Sequence, residues 1–281
     1  MGGTGSHGWR EHQRTLENDW DEILRNRIWR SSEMDEMMIG LQTMWSVYVG
    51  DSSCDRSCAD TLGYSKGLTI FPPPSSKRKK RLPYTPEIIT KLRQHLKLND
   101  PFDAAVFACL TTCFYAAAQV AEFVVPRLDA FSPSQHIIPA SLQVDNNLDG
   151  LEVTVLHLPH TKAAPLEGED MFWSSHPGPT DPYATLNNHL QVNHSPDNTH
   201  LFAYQHKGQL RPLTKPAFIK CLASAACDTG LEPLQGHGIR IGATLIYLLH
   251  GLPIEAMKVM GCWSSDAFLR YLRKHAQILT C

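Results

Sequence analysis

The chain has 281 residues, 42% of them hydrophobic, and a formal net charge of −2. That length accommodates one large or two modest domains with a sizeable core, and the near-neutral balance excludes a globally basic protein. No run approaches the eighteen consecutive apolar residues of a membrane-spanning helix, so no membrane partner is expected.

Residues 1–70 read as a short N-terminal helical region. Trp20 to Trp29, with Ile23, Leu24 and Ile28, fits an amphipathic helix, and Glu33 to Val49, with Met37, Met38, Leu41, Met44 and Trp45, fits another. Gly- and Ser-rich flanks surround both. Residues 71–83 form a linker: three prolines, two serines and then Lys77, Arg78, Lys79, Lys80 and Arg81. Five consecutive cations do not fold onto an apolar core. They read equally as an arm contacting DNA, a nuclear localisation signal or a solvated hinge.

Thr85-Pro86-Glu87 is a helix start: a capping hydroxyl, proline at the first helical position and an acid in the first turn. Asn99-Asp100-Pro101 repeats the device and opens a helix from Phe102 to about Ala118 that is apolar nearly all round, hence central and buried. His136 to Val144 and Leu151 to Leu158 read as strands, joined by the Asn146–Gly150 turn, and Asp170 to Ser174 as a third. Tyr183 to Val192 is a short helix, Phe202 to Tyr204 a strand remnant, and Thr214-Lys215-Pro216 starts a helix that runs through Ala226. After Gly238, Ile241, Leu245, Leu248 and Leu249 recur at helical spacing until Gly251 and Pro253. A second run holds Ile254, Met257 and Met260, and a third Ala267, Phe268, Tyr271 and Leu272. The fold class is α+β, mostly helical, with a small three-stranded antiparallel sheet.

Charge is uneven along this order. Residues 1–76 hold 7 Lys/Arg against 11 Asp/Glu, whereas the stretch from Gly236 onward holds 5 against 2. Local basicity there suits a phosphate-backbone partner. The eight cysteines give no zinc knuckle; Cys109 and Cys113, one helical turn apart, read as small core residues, and neither a metal nor a cofactor is expected. His157 and His160, three apart in a strand-turn context, are read as lacking nearby carboxylates, which argues against a metal there. Phosphate-loop, dinucleotide-binding, zinc-protease and nucleophile-elbow motifs are all missing.

Taken singly, His237 reads as a helix cap, Arg240 as a surface cation and Tyr271 as half-buried core. Jointly they do more. His237 and Arg240 are three apart on a first helical turn, and Tyr271 falls ten residues past Gly261. A tyrosine hydroxyl attacks phosphorus when cations hold the non-bridging oxygens and a base takes its proton. The His-x-x-Arg, Gly, Tyr pattern resembles the tyrosine recombinases, the phage-integrase-type DNA breaking-rejoining enzymes. The wording Gly261-Cys262-Trp263-Ser264-Ser265-Asp266-Ala267-Phe268 is most similar to recombinases of fungal Crypton-type mobile elements.

The resemblance covers residues 84–281 as a catalytic domain and makes 1–70 a truncated or degraded clamp domain. It implies double-stranded DNA as partner, a nuclear location, a homo-oligomer on DNA and a 3′-phosphotyrosine intermediate needing no cofactor. Tyr271 is then the nucleophile, Arg240 the phosphate clamp, His237 a proton-transfer group, Lys162 the general acid, Glu122 a brace and Trp263 a further phosphate support. The family pattern Gly-x-Arg-x-x-Glu falls on residues 117–122 and puts Gln119 where the first phosphate-binding arginine stands. Glutamine contributes one hydrogen bond and no charge, so the resemblance implies impaired cleavage, or a non-catalytic DNA-binding remnant.

Overall fold

The computed structural model describes residues 83–146, 152–161, 164–233 and 235–263. The N-terminal helices, the linker cations Lys77 to Arg81, Lys162, the third C-terminal run and Tyr271 lie outside the described residues. What is described is an α+β arrangement of helices around a three-stranded antiparallel sheet and a separate two-stranded hairpin.

The first two helices start where capping chemistry says they should. In α1 (Pro86–Arg93) the Thr85 hydroxyl accepts from the Ile88 N–H at 3.2 Å, and Ile89 and Leu92 face inward. In α2 (Pro101–Tyr115) the Asp100 carboxylate accepts from the N–H groups of Phe102 and Asp103. Every residue of α2 from Ala104 to Tyr115 is buried, so this helix forms the centre of the core. Cys109 and Cys113 lie within it as buried free thiols. The helix ends at Tyr115 rather than near Ala118. Ala117 adopts a left-handed φ of 49°, and the Ala118 N–H returns to the Cys113 carbonyl at 2.9 Å. With alanine at this position, the sequence carried no glycine to announce the stop.

One turn of helix, α3 (Val120–Phe123), follows at once. The expected strand from His136 begins only at Leu142, because Pro139–Ser141 forms a 3-10 turn first. Strands β1 (Leu142–Asn146), β2 (Glu152–Leu158) and β3 (Glu169–Ser174) pair in sequence order, with Leu156 opposite both Leu142 and Met171. Thr154, Leu156 and Leu158 share the core-facing side of β2.

Helix α4 (Pro182–Asn193), capped by Asp181, lies along α2. Polar ties fix that contact: the Thr111 and Thr185 hydroxyls are 2.6 Å apart, and the Asn193 amide donates to the Pro101 carbonyl at 3.0 Å. The strand remnant is a hairpin, β4 (Tyr204–His206) with β5 (Gln209–Arg211), turned by Lys207 and Gly208, both at positive φ. Helix α5 (Lys215–Asp228) is capped by Thr214 and stopped before Gly230. Helix α6 (His237–Leu249) is buried from Gly238 through Leu248, and α7 (Ile254–Met260) follows it. The Tyr247 hydroxyl donates to the Tyr115 carbonyl at 2.6 Å, fastening α6 to the end of α2. Among the described residues no helix is long and apolar enough to cross a membrane.

Candidate active site

The site is built around Arg240 on the first turns of α6. Its side chain is 2% exposed, which excludes the surface-cation reading. A buried guanidinium must be compensated. Its carbon lies 4.0 Å from the centre of the Trp263 ring, a cation–π geometry, and one of its amino groups donates to the Gly261 carbonyl. The end of α7 arranges this. The Cys262 N–H returns to the Val259 carbonyl and the Trp263 N–H to the Lys258 carbonyl, both at 2.9 Å, while Cys262 takes a φ of 51°. The chain thereby doubles back and lays the indole over Arg240. A β-carbon at Gly261 would sit inside the indole ring, so only glycine permits the approach.

A second segment comes from α3. The Glu122 carboxylate accepts from the Gln119 N–H at 2.8 Å and from the Gln119 side-chain amide at 3.2 Å. Gln119 therefore spends its amide on Glu122. Burial pushes the Glu122 carboxyl above its ordinary value; the Gln119 N–H and the charge of Arg240 pull it down, and Glu169 raises it further. Arg240 and Glu122 are thus electrostatic neighbours, brought together from α6 and α3. Gly236, just before α6, is packed against Val120 and Ile219, which holds these two helix starts side by side. Ala117, with its left-handed backbone, stands two residues before Gln119.

A Glu122→Gln variant is expected to be more stable than the parent at pH 7–8. A carboxyl whose folded pKa is raised stabilises the fold fully below its unfolded value near 4.5 and loses that contribution as pH climbs through the folded value. The gain, under about 1 kcal/mol as for most substitutions outside the packed core, should vanish toward pH 4. Urea midpoints at the two pH values measure it.

Glu169, at the start of β3, is a member of the site that the motifs did not reveal. It accepts a 2.5 Å hydrogen bond from the Thr161 hydroxyl and lines the same cleft as Cys262. Burial pushes the Cys262 thiol up to about 12, with Glu169 and Glu122 adding to the effect. The only sequence signal was the acidic run Glu167, Glu169, Asp170 directly after the turn that carries Lys162. These acids and His157 line a cleft of about 260 Å³ against Val259 and Cys262. Here the sequence reading of His157 needs correction. A carboxylate does stand beside it, across the strand pair: Asp170 is 2.7 Å from Nδ1. Among the described residues no group of three His, Cys, Asp or Glu is placed to hold a metal ion.

His237 is exposed at the first position of α6, one turn before Arg240. Lys162 and Tyr271 adjoin described segments in sequence but lie outside the described residues themselves. The described centre therefore contains one guanidinium, Arg240, with two carboxylates, Glu122 and Glu169. The guanidinium attracts an anion, while the carboxylates oppose one unless a proton is taken up or further cations arrive.

No family model and no curated protein matches the chain. Among solved structures it is similar to the FLP recombinase–Holliday junction complex I, at 18% identity and a TM-score of 0.45, over 67% of this chain and 45% of that one. A Flpe–Holliday junction complex is similar at 16% identity and a TM-score of 0.44, over 69% of this chain and 47% of that one. The XerH site-specific recombinase bound to its difH substrate, in a pre-cleavage complex, is similar at 11% identity and a TM-score of 0.47, over 93% of this chain and 76% of that one. The chain spans less than half the length of the two FLP-type structures.

Proposed function

We propose that this chain is a DNA breaking-rejoining protein of the tyrosine-recombinase type, of Crypton-like mobile-element ancestry, acting on double-stranded DNA in the nucleus with its first phosphate-clamping cation replaced by Gln119. One observation carries the reading. Glu122, tied to Gln119, and Trp263 come from separated segments and both act on the one buried guanidinium of Arg240, the first by its charge and the second by its ring. They are the residues that the recombinase pattern selects from the sequence, and an arrangement built only for packing has no need to bury an arginine beside a carboxylate.

In this mechanism Arg240 holds a non-bridging oxygen of the scissile phosphate and the Tyr271 hydroxyl attacks phosphorus. The P–O bond to the 5′ oxygen breaks as the bond to tyrosine forms, and Lys162 supplies the proton that the leaving oxygen takes. His237 assists proton transfer on the attacking side. The phosphodiester is preserved in the phosphotyrosine link, so rejoining needs no energy source. A homo-oligomer on DNA belongs to the same reading, and Lys77 to Arg81 is the basic arm that follows the backbone.

A second reading is a DNA-binding protein without cleavage. The Gln119 amide favours it: tied to Glu122 at 3.2 Å, it places no positive charge where the pattern calls for one. A nicked suicide substrate separates the two. Cleavage predicts a covalent adduct of low yield in the parent, none in Tyr271→Phe, and a yield raised by about 10²-fold in Gln119→Arg, the worth of one preorganised electrostatic donor. Binding to duplex DNA that weakens steeply with salt, with no adduct in any variant, establishes the second reading. Salt-insensitive or undetectable DNA binding refutes both.

A further inference from the structure

Two walls of the Arg240 site meet at one carboxylate. The first wall is the turn after β2. Thr161, 3% exposed, donates through its hydroxyl to Glu169 Oε2 at 2.5 Å, and the same hydroxyl accepts from the Ala164 N–H at 2.9 Å. The Thr161 N–H also reaches the Ala164 carbonyl at 3.3 Å, so the two ends of this turn are clamped to each other and to Glu169. The second wall is the end of α7. Cys262, left-handed at a φ of 51°, lines the same cleft as Glu169, and Trp263 follows it directly over Arg240.

The aim of Glu169 is itself fixed. It opens β3 opposite Leu158, and Gly168 before it has a φ of 71°. A β-carbon on Gly168 would run into the Leu158 carbonyl and the His157 ring, so the chain reaches β3 by a path open only to glycine. Glu169 also stands close enough to Glu122 to disfavour its ionised form. A carboxylate beside another carboxylate costs stability, yet the Thr161 hydrogen bond and the cleft shared with Cys262 both join Glu169 to other segments of the site rather than to its own strand.

We infer that Glu169 is a positioning residue: a single carboxylate bridge that fastens the turn after β2 to the Cys262–Trp263 end of α7. What it positions rests on the proposed function, since Lys162 follows Thr161 in sequence and Trp263 covers Arg240. Neither Thr161 nor Glu169 touches the reacting atoms in that scheme; the bridge sets the spacing between the groups that do.

Hydrogen exchange on the full-length protein tests the bridge without reference to catalysis. In Glu169→Ala, peptides spanning residues 155–168 and 255–263 should both exchange about tenfold faster, the signature of two locally opened segments, while peptides from α2 keep the parental rate. In Glu169→Gln, which retains an acceptor oxygen, both segments should return to within about threefold of the parent. Thr161→Val should loosen the first segment alone. The inference is overturned if Glu169→Ala loosens only one segment, if all peptides accelerate together, or if Glu169→Gln behaves like Glu169→Ala. A parallel reading with the nicked substrate adds the functional side: adduct yield falls about tenfold in Glu169→Ala. If the parent forms no adduct, the cleavage proposal fails by itself, and the exchange data still decide the bridge.

Discussion

Replacing Gly242 with alanine is expected to destabilise the domain by about 3–5 kcal/mol. Gly242 lies on the face of α6 that meets the chain just before α1. A β-carbon there would coincide with the Tyr84 carbonyl oxygen and fall within 3 Å of the carbonyl carbon and amide nitrogen of the same residue. These are backbone atoms and cannot rotate aside. Tyr84 is pinned as well, since it is 1% exposed and its N–H donates to the Gly238 carbonyl at 3.0 Å. Relief therefore requires moving α6 away from the start of α1. Overpacking a core costs about 1–3 kcal/mol, and stranding the buried Tyr84 N–H adds a similar amount. The measurement is the urea midpoint at unchanged m-value. Gly251→Ala, where no atom lies within 4 Å of the added carbon, provides the contrast and should cost only the roughly 1 kcal/mol of a left-handed alanine. A Gly242→Ala protein as stable as Gly251→Ala would show that α6 does not press on Tyr84.

Acidification should produce the other large loss, before the carboxylates titrate. His189 and His200 are 0% and 1% exposed. His189 donates from Nε2 to the Leu201 carbonyl at 2.9 Å and accepts from the Asn193 amide at Nδ1, also at 2.9 Å, which fixes a neutral ring. His200 accepts from the Phe202 N–H at 3.2 Å. Burial, the largest cause in both, lowers His189 to about 4 and His200 to about 3; His136 and His189 lower His200 further. The unfolded chain takes protons at these rings near pH 6.5 and the folded chain does not. Their contribution is complete above pH 6.5 and drains away as pH falls toward the folded values. Each ring loses about 1.4 kcal/mol per pH unit in that window, so the pair removes roughly 3–4 kcal/mol between pH 6.5 and 5. Glu122, raised rather than lowered, works in the opposite direction but is a single group. Urea midpoints from pH 7.5 to 5 read the slope, and His200→Leu should about halve it. A parental midpoint that is flat over that range would mean that both rings gain protons without unfolding.

What the sequence disclosed follows the physics of each element. Helix starts at Thr85 and Asp100 were legible because a cap, a proline and an acid coincide within three residues, and capping is local. The burial of α2 was legible because its apolar residues surround the whole helix. The end of α2 was not, since Ala117 enters the left-handed region without the glycine that usually marks it. The one-turn helix α3 and the β4–β5 hairpin were too short for any periodicity to register.

Arg240, His237, Glu122 and Gln119 could be named as candidates because the recombinase-like pattern that selects them is local, each pair lying three residues apart. The stacking of Trp263 on Arg240 needed the left-handed turn at Cys262, and the Asp170 partner of His157 needed the strand register. Glu169 was invisible for the same reason: its hydrogen bond reaches eight residues back and its cleft extends to the far end of α7, and no motif spans both distances.

Helix α2 has a consequence for how this polypeptide tolerates being cut. From Ala104 to Tyr115 it offers water nothing, and it is enclosed by α4, β4, α5 and α6, whose sequences lie between 67 and 148 residues further along the chain. A proteolytic fragment or early-terminated translation product that includes α2 but stops short of α6 would leave a twelve-residue greasy rod without its enclosure. Such a piece has no stable solution state of its own and should be captured by chaperones or precipitate. The described region from Tyr84 to Leu248 therefore folds as one unit, and a chain break inside it that separates α2 from α6 should be lethal to the fold.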